Sequence, residues 1–301
     1  MKQESKIRLS LVIPAKDKND PKLADLLASI DSQDFPKEQM ETLVITDGTS
    51  ESAKAIGIRK AKGEVIGILA SDNELVEKDF LNRHFLIARQ EGSAQPCYYY
   101  YTKKDDILNR YFALFGCNDP LAFYMDKNDK LCRVETIGRF LDMQKGGTIG
   151  DNGYFVRKDL IEKTDLDNYY HIDNAVEAME IPFTIYSSIW HKTGGNIFKF
   201  FQKRFRYGLQ HAFNKNRRWH LVDFSRKEDI CRLVWFIIAS LTVVHPLLTS
   251  IRGYLKVRDL AWFLHPIVCG MTLLTYSVLM IHVGWNRLLR LSFAPTVVPS
   301  P

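Results

Sequence analysis

The stretch 53–75, AKAIGIRKAKGEVIGILASDNEL, constrains the fold more than any other part of the chain. It opens with the helix formers Ala53, Ala55, Lys60 and Ala61, and Ile56 and Lys60 stand at i, i+4 spacing. Gly63 stands where such a helix would stop. EVIGILA is then a short apolar run with β-branched residues, which reads as a buried strand. Ser71, Asp72 and Asn73 follow at once. An open α/β sheet holds its ligands just beyond the carboxyl ends of its strands. An acidic tip there can hold a divalent cation and, through it, a diphosphate.

Other segments repeat the theme. LSLVIPAKD (9–17) is a strand that Pro14 ends for want of an N–H, followed by Ala15, Lys16 and Asp17. Residues 22–32 place apolar side chains at 23, 26, 27 and 30, a helix face. METLVITDGTSE is a second strand with Asp47 at its tip, although Asp-Gly alone also signals a plain turn. Residues 77–89 predict a helix on which His84 is a packing or surface residue, and PCYYYY (96–101) predicts a further strand. Residues 109–139 predict an irregular loop with short helical pieces.

With these flanks, the pattern A-x-x-x-G-x-x-x-A-x-G-E-x-I-x-x-L-x-x-D resembles the region before the DXD motif of family-2 glycosyltransferases. The resemblance implies a GT-A fold: α/β, Rossmann-like, with a mixed central sheet. It also implies that Pro14, Ala15, Lys16, Asp17, Asp47, Lys54, Ser71, Asp72 and Asn73 bind a nucleotide-sugar donor. Ala70 stands where the family has the first acid of DXD, so Asp72 alone carries over. GGTIGDNGYFVRKDLIEK (146–163) is similar to a donor-pocket segment, which adds Gly150 and Asp151. Asp173 matches the family's general base, with Ile172 in place of the usual Glu; a helix N-terminal charge would look the same. His191 corresponds to a late metal ligand of several GT-A enzymes, so Asp72 and His191 are the candidate ligands for Mg²⁺ or Mn²⁺; a lone His is as readily structural. Lys203, Arg204 and Arg206 faintly match a basic motif of membrane-bound members and suit a pyrophosphate or lipid phosphate, or an anionic bilayer surface.

The five cysteines have no C-x-x-C spacing, which excludes a disulfide framework and a zinc site of the usual kind. The charge of +6 is mild and concentrated between Lys192 and Arg232, which suggests a membrane or phosphate surface. Nothing in it points to nucleic acid. The opening residues are too few and too charged for a signal peptide. Two apolar stretches, 233–251 and 260–283, predict a hairpin of membrane helices, spanning or re-entrant, with both ends on the cytoplasmic side by charge bias.

The expected organisation is a catalytic domain over 1–190, a basic interfacial region over 191–232, two membrane helices within 233–290 and a tail over 291–301. The expected activity is an inverting hexosyl transfer from a nucleotide sugar to a polyprenyl phosphate or lipid-linked saccharide. A glycolipid synthase acting on a ceramide- or diacylglycerol-like lipid, and a catalytically weak sugar-nucleotide-binding scaffold, are the alternatives. A homo-oligomer is compatible with all three.

Overall fold

The computed structural model describes residues 7–97, 100–115, 118–125, 139–141, 153–163, 183–192, 196–213, 222 and 224–288. The chain forms two compact units, Met1–Tyr100 with Leu131–Lys192, and Tyr101–Lys130 with Thr193–Pro301.

The first unit is a mixed α/β sheet. Its strands are β1 (Leu9–Pro14), β2 (Met40–Ile45), β3 (Val65–Ile68), β4 (Asn73–Leu75), β5 (Ser93–Cys97), β6 (Arg139–Leu141), β7 (Tyr154–Arg157) and β8 (Phe183–His191). They lie in the order β2-β1-β3-β7-β5-β8-β4, with β6 also paired to β8. β1 runs parallel to β2 and β3, and β7 enters antiparallel between β3 and β5. Alternation along β1 explains both faces. Leu9, Leu11 and Ile13 pack with Leu23, Leu26 and Ile30 of α1 (Pro21–Asp31) and Phe80, Leu81 and Phe85 of α3 (Phe80–Glu91). Val12 points the other way, onto Ala55 and Ile58 of α2 (Ser50–Lys60). With both faces covered, β3 is buried throughout, as its apolar run predicts. Each such side chain contributes roughly 1.5–3 kcal/mol on burial.

The helix starts follow from their caps. Asp20 accepts a hydrogen bond from Lys22 N before Pro21 at the first helical position, and Thr49 accepts one from Ser52 N. The expected stop at Gly63 is corrected: α2 ends at Lys60, three residues earlier. Gly63 instead lets the chain cross β1. Its N–H donates to Ser10 Oγ at 2.8 Å, and a Cβ there would stand 2.6 Å from Ser10 N. His84 is fully buried and stacked on Phe80, with Nδ1 2.8 Å from Phe80 O, so it packs.

The second unit is helical: α4 (Ile107–Phe115), α5 (Pro120–Tyr124), α7 (Ile197–Phe213), α8 (Lys227–Thr242), α9 (Val244–Lys256) and α10 (His265–Leu288); the short α6 (Lys158–Ile161) belongs to the first unit. α4 and α5 are short helical pieces of the kind expected within 109–139, and residues 116–117 and 126–138 lie outside the described residues. The single membrane helix expected over 233–251 is corrected. α8 and α9 meet at an 83° bend, and Val243 between them has φ 62°. Val243 N closes α8 on Ala239 O, while its own carbonyl accepts from Leu247 N to open α9. Pro246 falls in the first turn of α9, where a missing N–H costs nothing, so it does not make the bend. Among the described residues one helix, Leu260–Trp285, is long and apolar enough to cross a membrane alone; the bent pair adds a second only as a broken span.

Candidate functional site

Strand direction brings the acids of the first unit to one edge. β1, β2 and β3 are parallel neighbours, and Pro14 pairs with Ile45 while Val12 pairs with Ile68. Their carboxyl ends therefore stand side by side, about 4.8 Å apart per strand. Asp17, Asp47 and Asp72 each follow one of these ends within four residues. Asp17 and Asp47 are exposed, and Ala15 N donates to Ile45 O at 2.9 Å, tying the first two loops together. Gly48 has φ 83°, a conformation open to glycine after Asp47. Lys54, within α2, is buried at 3% exposure and is not displayed on the loops.

Two antiparallel steps, β3 to β7 and β7 to β5, followed by the parallel step to β8, leave β8 pointing the same way as β3. Its last residue, His191, thus arrives at the edge that carries Asp72. β4 turns back beside it, with Asn73 opposite His191 in register. His191 Nε2 lies 3.3 Å from Asp72 Oδ1, and the side chains are 9% and 20% exposed. Among the described residues, this is the predicted pairing that the structure brings into direct contact. His191 Nδ1 is buried with no hydrogen-bond partner among the described residues. Asn73 serves the loop: its Oδ1 accepts from Ala70 N at 2.8 Å, which shapes the turn that presents Ser71 and Asp72.

Sequence reading missed the latch that fixes this corner. Lys192 N donates to Asp72 O at 2.9 Å. Lys192 Nζ reaches Glu74 at 2.5 Å and Asp25 at 3.1 Å, and lies 4.7 Å from the Trp190 ring centre. Lys22 Nζ donates to Lys192 O at 2.7 Å. Burial works against the Lys192 charge, but hydrogen bonds and attraction from Glu74 and Asp25 outweigh it and raise the ammonium pKa. These partners lie up to 170 residues apart. The only linear signal was the Lys directly after His191.

No protein-family model and no curated protein matches the chain. Several solved structures do. The mannosyltransferase PcManGT from Pyrobaculum calidifontis, in complex with GDP-Man and Mn²⁺, is 12% identical, with 95% of this chain and 88% of that one covered and a TM-score of 0.49. S. aureus TarS 1-349 in complex with UDP is 11% identical, with 96% and 93% covered and a TM-score of 0.43. A longer S. aureus TarS chain is 12% identical over 71% of this chain, with a TM-score of 0.39, and this chain spans 41% of its length.

Among the described residues no group of three His, Cys, Asp or Glu side chains is arranged to hold a metal. Asp72 with His191 offers one carboxylate and one imidazole. Mg²⁺ is commonly held by one or two carboxylates together with substrate phosphates and waters. The pair therefore fits a cation that arrives with a diphosphate and keeps most of its shell, and does not fit one caged by protein alone.

Gly150, Asp151 and Asp173 lie outside the described residues. Gly153, with φ 78°, donates its N–H to Ile68 O at 2.8 Å, so the described start of that segment stands beside the end of β3. The basic trio lies on α7 of the second unit. Arg204 is not displayed for a phosphate: it pairs with Asp119 at 2.6 Å, donates to Asn118 O and Oδ1, and shares Asp119 with the Tyr276 hydroxyl. Lys203 is exposed, and the Nε of Arg206 is buried without a partner among the described residues.

Proposed function

We propose that the chain is an inverting glycosyltransferase that moves a hexosyl group from a nucleoside-diphosphate sugar to a lipid-linked acceptor at a membrane. The observation that carries the reading is the Asp72–His191 contact at the edge where the loops of Asp17 and Asp47 also end. The order of these acids along the sheet suits a ligand laid across strand ends. Asp17 and Asp47, on the outer two loops, take the ribose and base by accepting their hydroxyl and amine hydrogens. Asp72 and His191 face the diphosphate. Asn73 and the Lys192 latch hold Asp72 in place before the substrate arrives, so little ordering remains for the reaction itself.

A Mg²⁺ or Mn²⁺ ion, where bound, would be held by Asp72 and His191 and would neutralise charge on the diphosphate as it departs. The acceptor oxygen attacks the anomeric carbon from the side opposite the nucleotide. The bond from that carbon to the diphosphate oxygen breaks, and its electron pair leaves with the diphosphate. Where the acceptor is a hydroxyl, Asp173 takes its proton as general base; where it is a phosphate, whose oxygen is already anionic, Asp173 helps to position it. Gly150 and Asp151 are assigned to the donor sugar. The exposed Lys203 is assigned to acceptor phosphate or anionic lipid. The apolar helices of the second unit suit a lipidic acceptor, a polyprenyl phosphate or lipid-linked saccharide.

The test incubates the full chain in lipid vesicles with labelled nucleotide sugars, Mn²⁺ and membrane lipid extract. Label should pass into the organic-soluble fraction, and Asp72→Asn should slow that transfer about 100- to 1000-fold. Ala70, in place of the usual acid, favours one other outcome, a binding scaffold. Nucleotide binding without turnover, unchanged by Asp173→Asn, would establish that instead.

A further inference from the structure

The second unit carries a lipid-facing surface whose geometry differs from a pair of spanning helices. Along the 3₁₀ turn Leu260–Leu264 and α10, the exposed large apolar residues Leu260, Phe263, Ile267, Leu274, Val278, Ile281 and Trp285 recur at steps of three, four and seven. That is one stripe down one side of the helix. The opposite side is covered along the first half, where Val268, Cys269 and Thr272 are fully buried; further on Leu279 and Val283 are nearly so, while Met280 between them is exposed.

What covers it matters. α7, the basic helix, packs along the later part of α10. A Cβ at Gly208 would stand 2.5 Å from Leu279 Cδ2, and Phe205 faces His282 at 6.3 Å. The Arg204–Asp119 pair meets α10 at Tyr276. Tyr276 is nine residues from Trp285, about 14 Å along the axis. A helix of 26 residues is about 39 Å long, so a centred span would bury that ion pair inside the hydrocarbon core of roughly 30 Å. It would draw the exposed Lys203, next to Arg204 on α7, in with it. Charges at that depth are costly. With α10 lying in the plane of the membrane, the stripe faces acyl chains and α7 stays on the water side.

The bent pair tells the same story. α8 is about 24 Å long and α9 about 20 Å, each too short to span. Joined at 83°, two such arms reach about 15 Å from their ends to their apex, half the core. The apex is apolar and exposed, at Leu241, Val243 and Val244. The outer ends are charged and exposed: Arg226, Lys227 and Glu228 stand at one, with Arg226 paired to Glu228 at 3.3 Å, and Arg252, Lys256 and Arg258 at the other. Charged ends of this kind belong in the headgroup layer, and the cationic one suits anionic lipid.

We propose that the second unit is monotopic: α8 and α9 form a re-entrant wedge, α10 lies in plane, and both charged ends of the wedge meet the same leaflet. This stands on the second unit alone and survives any outcome for the sugar-transfer reading.

The test places the full chain in sealed vesicles with the first unit outside. A cysteine-free background receives Ser225→Cys, Lys256→Cys or Asn286→Cys, and an impermeant maleimide is added outside. All three should label to a similar extent. Protection of Lys256→Cys while Ser225→Cys labels would make the bent pair a broken span. Protection of Asn286→Cys alone would make α10 a span. Either overturns the proposal. Should the cysteine-free background misfold, trypsin on the native chain in the same vesicles reads the same sides. External cleavage both at the start of α8, at Arg226 or Lys227, and at the end of α9, at Lys256 or Arg258, is expected, and cleavage at the start of α8 alone refutes. A chain that stays in the aqueous phase, without binding vesicles containing anionic lipid, also refutes it.

Discussion

His84 should make the first unit sensitive to mild acid. Its imidazole is buried between Phe80 and Phe155, and burial, the largest of the causes, pushes its pKa down from 6.5 to about 4. The unfolded chain binds a proton at His84 below about 6.5, whereas the folded chain resists until about pH 4. Between those values the unfolded state holds more protons, so stability rises with pH. The contribution is complete above about pH 6.5 and is lost progressively on the way down to about pH 4. The gap corresponds to about 3 kcal/mol. Glu77 works in the opposite sense, since burial raises its carboxyl, but it remains in both forms of the comparison. Amide hydrogen exchange of α3, followed from pH 7 to 4.5 and corrected for the intrinsic pH dependence of exchange, measures the opening free energy of this region. The native protein should lose most of that 3 kcal/mol, and His84→Phe should flatten the slope whatever its absolute stability. An equal slope in the two proteins would refute the reasoning.

Gly63→Ala should destabilise by about 1–3 kcal/mol in urea titration, because its Cβ meets backbone atoms of Leu9 and Ser10 that cannot turn aside. Arg204→Met should cost about 3–5 kcal/mol by leaving the Asp119 carboxylate buried without its cation, and Asp119→Asn in the same chain should recover much of that in thermal melts. Lys192→Met should weaken nucleotide-sugar binding in calorimetry, since the Lys192 ammonium pins the corner that holds Asp72, while Lys192→Arg should restore part of it.

The sheet edge was legible because β1 and β3 are short apolar runs, as strands buried on both faces require, and an acid follows each of the three strand ends within four residues. Asp47 and Asp72 could be placed at strand ends from that alone. The Asp72–His191 contact was only half legible. Proximity of residues so far apart depends on β8 running parallel to β3 through an antiparallel β7, and no local pattern encodes that order. The ends of elements were less legible: Gly63 reads as a helix stop but serves a close crossing. The break between α8 and α9 was hidden for a related reason. Pro246 attracts the expectation of a kink, yet the bend is made at Val243, a β-branched residue in a left-handed conformation that sequence propensity disfavours. Arg204 looked available because charge in a sequence carries no sign of its partner, and Asp119 lies 85 residues away.

Anomalous scattering from a crystal grown with Mn²⁺ and a nucleoside diphosphate tests the site most directly. The manganese peak should fall beside Asp72 and His191, with the ribose across the loops of Asp17 and Asp47. A nucleotide bound elsewhere on the chain, or a metal held away from Asp72, would contradict the account.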